Sequence, residues 1–405
     1  MTGQRVRRFL FAFLRVAVSA GLIAYVFTYL IEYQDSVSLA DGTVLVGRVR
    51  EADEQSVRIE TEDGEERVIP GALLARDGEE APVHYGFFGV VARASLTPLL
   101  AGLAIYGIVN GFALIRWRLL LSSQGIAVRL RDIFRWHFIG LFYNAFLPGL
   151  TGGDLVKAYY VVRHAHGARA AAAVTVFIDR VIGILAMATL AGLVLLFYLG
   201  DPRLREAAIV IYVFLGSALT GAGLFFSKRV RRLVRLDKLI DLLPLSGLVR
   251  KVDEAVFLFR YRKRAVLSAF ALSIVCDCVL VLVNYSYGQS LGIEGVGLGP
   301  YCVFIPTILI LSAIPISVGG FGWGEAMYLH FFTAVAPAGA AASDLGNRAV
   351  AMSLLFRLTG VAWSLIGGVH LLLGEKRVTA SEVKHEFEEP ETPRGTESPA
   401  PPPPG

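Results

Sequence analysis

The sequence predicts an all-α polytopic membrane protein, with about six full spans, two re-entrant hairpins and a small extracytoplasmic β insert. Two observations predict this class. The chain is 55% hydrophobic and only 18% charged, whereas soluble domains are typically about 45–50% apolar and about 25% charged. Its apolar residues also form runs of about 20, the length that crosses roughly 30 Å of hydrocarbon.

The first element, over residues 1–32, is predicted to be an uncleaved span. Its apolar run extends from Phe9 to Ile31, whereas the apolar region of a cleaved secretory signal is about 7–15 residues long. Arg5, Arg7 and Arg8 precede the run. Basic residues mark the cytoplasmic side of a membrane protein, so we expect the N-terminus to be cytoplasmic.

Residues 33–85 alternate apolar and polar side chains, which is typical of half-buried strands. Asp41-Gly42 and Asp63-Gly64 are typical turn pairs. We therefore expect about four short strands in a small β-barrel or curled sheet on the extracytoplasmic side. This domain is either a passive cap or a partner-binding or gating element.

A transmembrane domain is predicted over residues 86–373. Its basic flanks alternate so that both termini lie in the cytoplasm. The tail, residues 374–405, is polar and ends in a proline-rich stretch, which predicts a disordered cytoplasmic segment. Residues 228–264, which include the strongest basic cluster, are predicted to form a cytoplasmic loop. The full spans after the first are predicted at about 94–115, 170–199, 207–227, 265–287 and 349–373.

Two further apolar segments are predicted to enter the membrane and turn back. Segment 136–153 has basic residues on both flanks, which predicts a hairpin that enters from the cytoplasm. From Gly295 to Ser343 the only formally charged side chain is Glu325. A second hairpin, entering from outside, fits this interval. We expect the two hairpins to meet around a shared polar chamber.

A short pattern occurs once in each hairpin. A proline is followed at the fourth and fifth positions by glycines, and an acid comes soon after. Paired broken helices in inverted halves indicate a transport site near the middle of the membrane, although two unrelated turns remain the alternative. The matching residues are Pro148, Gly152, Gly153 and Asp154 in the first copy, and Pro315, Gly319, Gly320 and Glu325 in the second.

Ionisable residues within apolar spans are the other candidate site residues. Each costs about 2.5–3.5 kcal/mol or more at the centre of a membrane, so it usually lines a pathway or has a partner. Structural ion pairs, such as Arg357 with Glu325 or Asp277, are the alternative. Lys157 either joins a phosphate pocket at the restarted helix or extends to the interface. The predicted substrate-binding residues are Asn144, Asp154, Lys157, Asp179, Arg180, Glu325 and Arg357.

No catalytic residue, metal site or cofactor is predicted. Cys276 and Cys278 have the wrong spacing for a zinc or redox site, and the chain has no phosphate-binding loop of the GxxxxGK[ST] type. The predicted partners are a membrane lipid and an envelope-biosynthesis protein, without nucleic acid. The oligomeric state is left open.

Four motifs carry a resemblance to a known family: "FYNAFLPGLTGGDLVKAYYVVRH", "VFIDRVIGI", "PISVGGFGWGEA" and "LLFRLTGVAWSLIGG". Over about 90–373 the chain resembles the transmembrane region of lysylphosphatidylglycerol synthases, a group of flippase-like integral membrane proteins. The resemblance implies movement of a lipid between leaflets. It assigns that role to Asn144, Pro148, Gly152, Gly153, Asp154, Lys157, Asp179, Arg180, Gly320, Glu325 and Arg357.

The full synthases carry a soluble aminoacyl-transferase domain after the membrane part, and this chain has only a short tail there, so synthase activity is not expected. The leading hypothesis is a translocator of a phospholipid or lipid-linked head group in a bacterial inner membrane. One alternative is a membrane transferase that acts on a lipid, with Asp154 or Glu325 as general base. The other is a non-transporting partner in envelope assembly.

Overall fold

The computed structural model shows a mostly helical protein. Pro148 and Pro315, residues 228–261 of the predicted cytoplasmic loop and the whole tail lie outside the residues that the structure describes. The described residues are 17–18, 20–53, 55–61, 63–74, 83–146, 152–165, 168–226, 262–293, 295–314, 316–335 and 340–373.

The described N-terminal helix is α1, Ala20–Tyr29. It ends in a π-helical turn, Val26–Leu30, in which Val26 is fully buried. The N-terminal part of the predicted first span, up to residue 16, lies outside the described part of the chain. The length of this span therefore stays a prediction.

The described residues between 35 and 84 form a five-stranded antiparallel sheet with the order β4-β3-β2-β1-β5. Val37, Val49 and Ile59 are buried, because alternate side chains of each strand face the same side. An isolated bridge between Leu39 and Leu74 brings distant parts of the sheet together. The strands are β1 Asp35–Ser38, β2 Val44–Ala52, β3 Ser56–Thr61, β4 Glu66–Pro70 and β5 Val83–His84.

A buried carboxylate attaches this sheet to the helices. Asp35 accepts hydrogen bonds from the backbone N–H groups of Gly86 and Val49, each at 2.9 Å. Arg93 donates to the carbonyl of Val49, and its guanidinium lies 4.2 Å from the ring centroid of Tyr85. These contacts fix the orientation of the sheet relative to the first helix that follows it.

Among the described residues after the sheet, five helices are long and apolar enough to cross a membrane: Leu96–Ser123, Arg169–Tyr198, Pro202–Gly221, Lys263–Ser290 and Asp344–Leu372. They correspond to the five predicted spans of this region. The helices are α2 Phe87–Ala92, α3 Leu96–Ser123, α4 Leu130–Phe146, α5 Gly152–His164, α6 Arg169–Leu195, α7 Arg205–Phe226, α8 Lys263–Ser290, α9 Leu298–Ser312, α10 Trp323–Thr333 and α11 Ala340–Leu372.

The helix that contains the second predicted span is longer than that span. The second span was predicted to end near 115, with Arg116 outside it, but α3 continues to Ser123. Arg116 is therefore an internal residue of the helix. Its side chain lies among α3, α6 and α8, where it has an acidic partner. A cation with a buried partner does not have to mark the end of a span.

The two predicted hairpins correspond to two helix pairs, α4 with α5 and α9 with α10. They occupy similar positions in the packing. The first pair places α4 against α11 and α5 against α6, and the second places α10 against α11 and α9 against α6. The long helices α6 and α11 therefore contact both pairs, and α3 packs along α8.

Candidate functional site

The first helix pair is held together by a close backbone approach at glycines. A Cβ atom on Gly153 would lie 1.9 Å from the carbonyl oxygen of Gly140, so only glycine fits there. The N–H of Gly153 donates to Oδ1 of Asn144 at 2.8 Å. Asn144 on α4 thus satisfies a free N–H at the start of α5. The sequence predicted Gly152, Gly153 and Asn144, and the structure places them together.

An ion pair joins the first turn of α5 to α6. Nη2 of Arg180 lies 2.7 Å from Oδ1 of Asp154. The side chain of Arg180 is 51% exposed, because other protein atoms cover only about half of it, whereas that of Asp154 is 21% exposed. Since a guanidinium has five N–H donors in a planar fork, this exposed face can accept a second anionic partner.

Lys157 lies one turn further along α5, and its amine ends inside the protein. Nζ is 3.2 Å from Nδ1 of His137, and Nε2 of His137 is 3.1 Å from Oδ1 of Asn110. The amide nitrogen of Asn110 donates to the carbonyl of Tyr106. Since Oδ1 of Asn110 can only accept, Nε2 of His137 is the donor in that bond. Nδ1 of the neutral imidazole then accepts from the amine of Lys157. Lys157 is thus buried against His137 and does not extend to the membrane interface, which was the alternative prediction.

Asp179 contacts α3, in a different direction from its neighbour Arg180. Nε and Nη2 of Arg116 donate to its two carboxylate oxygens at 2.6 and 2.9 Å. Nη1 of Arg116 donates to the hydroxyl of Ser273 on α8 at 2.9 Å. Adjacent residues on a helix diverge in direction, which explains why Asp179 and Arg180 have separate partners.

A second cluster surrounds the start of α10. Oε1 of Glu325 accepts from Nε and Nη2 of Arg357 at 3.0 and 2.8 Å. Oε2 of Glu325 accepts from the N–H of Gly322 at 2.7 Å. Glu325 is almost fully buried, so its charge depends on these partners. The structure selects Glu325, and not Asp277, as the partner of Arg357.

The chain between α9 and α10 requires glycine at three positions. Gly319, Gly320 and Gly322 have φ values of 62°, 72° and 77°, a region that favours glycine. Arg357 donates to the carbonyls of Gly319 and Gly320 at 2.9 and 3.2 Å. Its guanidinium also lies 3.9 Å from the ring centroid of Phe321. One arginine on α11 therefore contacts both the backbone between α9 and α10 and the acid in the first turn of α10.

The N-terminal helix closes one side of this interruption. A Cβ atom on Gly322 would lie 2.6 Å from Cβ of Leu22 and 2.8 Å from the backbone nitrogen of Ile23. This contact was not predicted, because no local pattern in α1 indicates which helix break it covers.

The two clusters share one arrangement. Asp154 and Glu325 each lie in the first turn of the helix that follows an interruption. Each is paired with an arginine on a long neighbouring helix, Arg180 on α6 or Arg357 on α11. Among the described residues, no ion pair joins one cluster to the other. Both copies of the glycine-and-acid sequence pattern therefore place their acid in an ion pair with an arginine of a long helix.

Tyr106 lies between the two clusters. Its carbonyl accepts from Asn110, which belongs to the hydrogen-bond chain of Lys157. Its ring packs edge-on against Phe356, the neighbour of Arg357, with 5.9 Å between centroids. The clusters are therefore linked by packing through α3 and α11.

Sequence reasoning missed Arg116 and His137. Arg116 was treated as a flanking charge, although the need of Asp179 for a cation was a signal that could have found it. His137 lies seven residues before Asn144, but no local signal indicates that it meets Lys157. In the part of the chain that the structure describes, no group of three or more His, Cys, Asp or Glu residues is placed to hold a metal ion.

The long apolar helices, with ion pairs buried between them, define a helical, multi-pass membrane protein. Residues 86–368 match the family model described as the lysylphosphatidylglycerol synthase TM region. The match covers more than half of the chain, so the protein belongs to this family. No curated protein and no solved structure matches the chain.

Proposed function

We propose that the protein moves a phospholipid or lipid-linked head group between the leaflets of a membrane. The observation that carries this proposal is the matched placement of Asp154–Arg180 and Glu325–Arg357. Each pair joins the first turn of a restarted helix to a long helix, either α6 or α11, that also contacts the other helix pair. Interrupted helices with ionisable groups are typical of transport sites.

Arg180 is the residue that we assign to the phosphate of the lipid. Its guanidinium has one anionic partner and a large uncovered face, and arginine binds phosphate through two parallel hydrogen bonds. Lys157 and the free N–H groups at the start of α5 add positive potential behind it. Asn144 and Asp179 hold α5 and α6 in place through Gly153 and Arg116.

Glu325 and Arg357 are assigned to the conformational change. Arg357 holds Glu325 and two carbonyls of the interruption at once. Exchange of any of these partners alters the path of the chain between α9 and α10. A lipid that approaches Arg357 competes with Glu325, which couples occupancy to the shape of this segment.

The proposal includes the predicted topology. Residues 1–32 are the first span, 33–85 form an extracytoplasmic domain, 86–373 form the flippase-like domain and 374–405 form a cytoplasmic tail. The pair α4/α5 enters from the cytoplasm and α9/α10 from outside, with both termini cytoplasmic in a bacterial inner membrane. Tails of the lipid stay in the bilayer while its head group passes between the two helix pairs.

The transferase alternative has less support. Its general base would be Asp154 or Glu325, and each carboxylate already accepts hydrogen bonds from an arginine. Among the contacts of the described residues, none favours the role of an envelope-assembly partner.

The test is lipid movement in liposomes that contain the purified protein and a labelled phospholipid. We expect the wild type to exchange lipid between leaflets, and the pairs Asp154→Asn with Arg180→Ala and Glu325→Gln with Arg357→Ala to lose this exchange. The matched control is Arg58→Ala with Glu66→Gln, which removes an exposed pair in the sheet. Wild-type exchange no faster than that of the two site variants contradicts the proposal, provided that all variants elute as folded protein.

A further inference from the structure

Asp277 is a buried acid that the proposed lipid site does not use. It lies on α8 and is 5% exposed. Its Oδ2 atom is buried and has no hydrogen-bond partner. Among the described ion pairs, none includes Asp277, although acids inside a membrane are rarely retained without a partner or a role.

Among the described residues, Arg116 is the cation that interacts electrostatically with Asp277. Nη1 of Arg116 donates to Ser273, and Ser273 lies four residues before Asp277 on α8. Residues at this spacing are neighbours on one helix face. Arg116 therefore lies close to two carboxylates, Asp179 on α6 and Asp277 on α8, and it bonds only to the first.

The charge balance of this group is incomplete. One guanidinium neutralises one carboxylate, so a second cation or a proton has to accompany an acid at this depth. Helix α3 contributes Arg116 to the surroundings of Asp277, and Asp179 on α6 is bonded to that same guanidinium. Helix α8 itself contributes the thiols Cys276 and Cys278. From α9 and α11, the described residues contribute no formal charge that interacts with Asp277.

We propose that Asp277 is a proton-binding residue that couples lipid movement to a proton gradient; this inference rests on the proposed function. When Arg116 is bonded to Asp179, Asp277 holds the proton. When Asp277 releases that proton to water, its carboxylate competes with Asp179 for Arg116. A shift of Arg116 breaks its ion pair with Asp179. Because Asp179 and Arg180 are adjacent on α6, this shift moves the part of α6 that binds the phosphate.

The first experiment measures the proton directly. Infrared difference spectra of the purified protein, recorded across a pH titration, detect the C=O band of a protonated buried carboxyl. We expect the band in the wild type and its loss in Asp277→Asn. The matched control is Asp344→Asn, because Asp344 is a shielded acid that already has Arg348 as its partner. A spectrum that is the same in the wild type and in Asp277→Asn overturns the inference.

The second experiment measures coupling in liposomes with an imposed pH gradient. We expect the wild type and Asp344→Asn to enrich the labelled lipid in one leaflet, and Asp277→Asn to lose this enrichment. Enrichment driven by a sodium gradient and not by a pH gradient overturns the inference. If Asp277→Asn does not fold, Asp277→Glu, which keeps a titratable group, is expected to retain the response to pH.

The outcomes separate the two proposals. A wild type that exchanges lipid but ignores the pH gradient contradicts only proton coupling. A wild type that moves no lipid under any gradient contradicts the proposed function, and the infrared titration then decides whether Asp277 binds a proton.

Discussion

Arg357 donates from Nη1 to the carbonyl oxygen of Gly319 at 2.9 Å, and this bond ties α11 to the interruption between α9 and α10. The same guanidinium neutralises the buried Glu325. We predict that Arg357→Ala lowers the free energy of unfolding by about 3 kcal/mol, because it leaves a buried carboxylate without its cation. Unfolding of the purified protein with denaturing detergent measures this loss.

The control for this prediction is Arg58→Ala, which breaks an exposed pair with Glu66. Exposed pairs contribute about 0–1 kcal/mol, so the control should change little. Equal losses in Arg357→Ala and Arg58→Ala would show that Glu325 does not depend on Arg357.

Gly153→Ala is expected to separate α4 from α5. The added methyl group would meet the backbone oxygen of Gly140, which cannot rotate away. Overpacking of this kind costs about 1–3 kcal/mol or more. Gly111→Ala is the matched control, since a Cβ atom there has no neighbour within 4 Å. Thermal stability distinguishes the two, and a tolerated Gly153→Ala would contradict the close approach.

His137→Phe is predicted to destabilise the protein by leaving the amine of Lys157 without an acceptor. An unsatisfied buried group costs about 1–3 kcal/mol, and more if it is charged. The double variant His137→Phe with Lys157→Met removes both partners and should recover much of this loss. The double-mutant cycle measures the coupling between the two side chains.

His330→Phe is the control for this cycle. His330 bonds to Glu206, and both side chains are largely exposed. Its effect on stability should be small. Additive losses from His137→Phe and Lys157→Met would contradict the hydrogen bond between these residues.

The turn between β2 and β3 should depend on pH through Asp53. Backbone N–H groups of Ser56 and Gln55 donate to its carboxylate and lower its pKa from the ordinary value of Asp. A lowered pKa in the folded state stabilises the turn above the ordinary Asp pKa of about 3.9, and this contribution is lost as the pH falls through the lower folded value. Asp53→Asn should therefore weaken the turn at pH 7 and matter less near pH 3.

Hydrogen exchange of the amides of Gln55 and Ser56 measures this local stability. The expected result is faster exchange in Asp53→Asn than in the wild type at neutral pH, after correction for the intrinsic rates. A difference that is the same at both pH values would contradict the role assigned to the carboxylate.

The long apolar helices were predictable because their information is local. A run of about 20 apolar residues forms a helix in lipid wherever it occurs, since its backbone groups must be satisfied within the segment. The strands of residues 35–84 follow in the same way from alternation and from glycine turns. The partner of Arg116 was not predictable in this way, because Asp179 lies on another helix.

The candidate site was predictable only in part. Pairs of acids and glycines in the sequence indicated Asp154 and Glu325, but no partner was predicted for Asp154, and Arg357 was paired with either Glu325 or Asp277. The structure places Arg180 and Arg357 against them. It also places His137 against Lys157, a contact between two helices that no spacing in the sequence encodes.

The sequence by itself determined that the chain is a helical membrane protein, where its long helices run and which residues interrupt them. These properties depend on hydrophobicity and on glycine at successive positions of one segment. Only the tertiary structure decided which charges meet, that α6 and α11 contact both helix pairs, and that Asp277 has no ion-pair partner among the described residues. Ion pairs join helices that are distant in sequence, so the packing of the helices determines them.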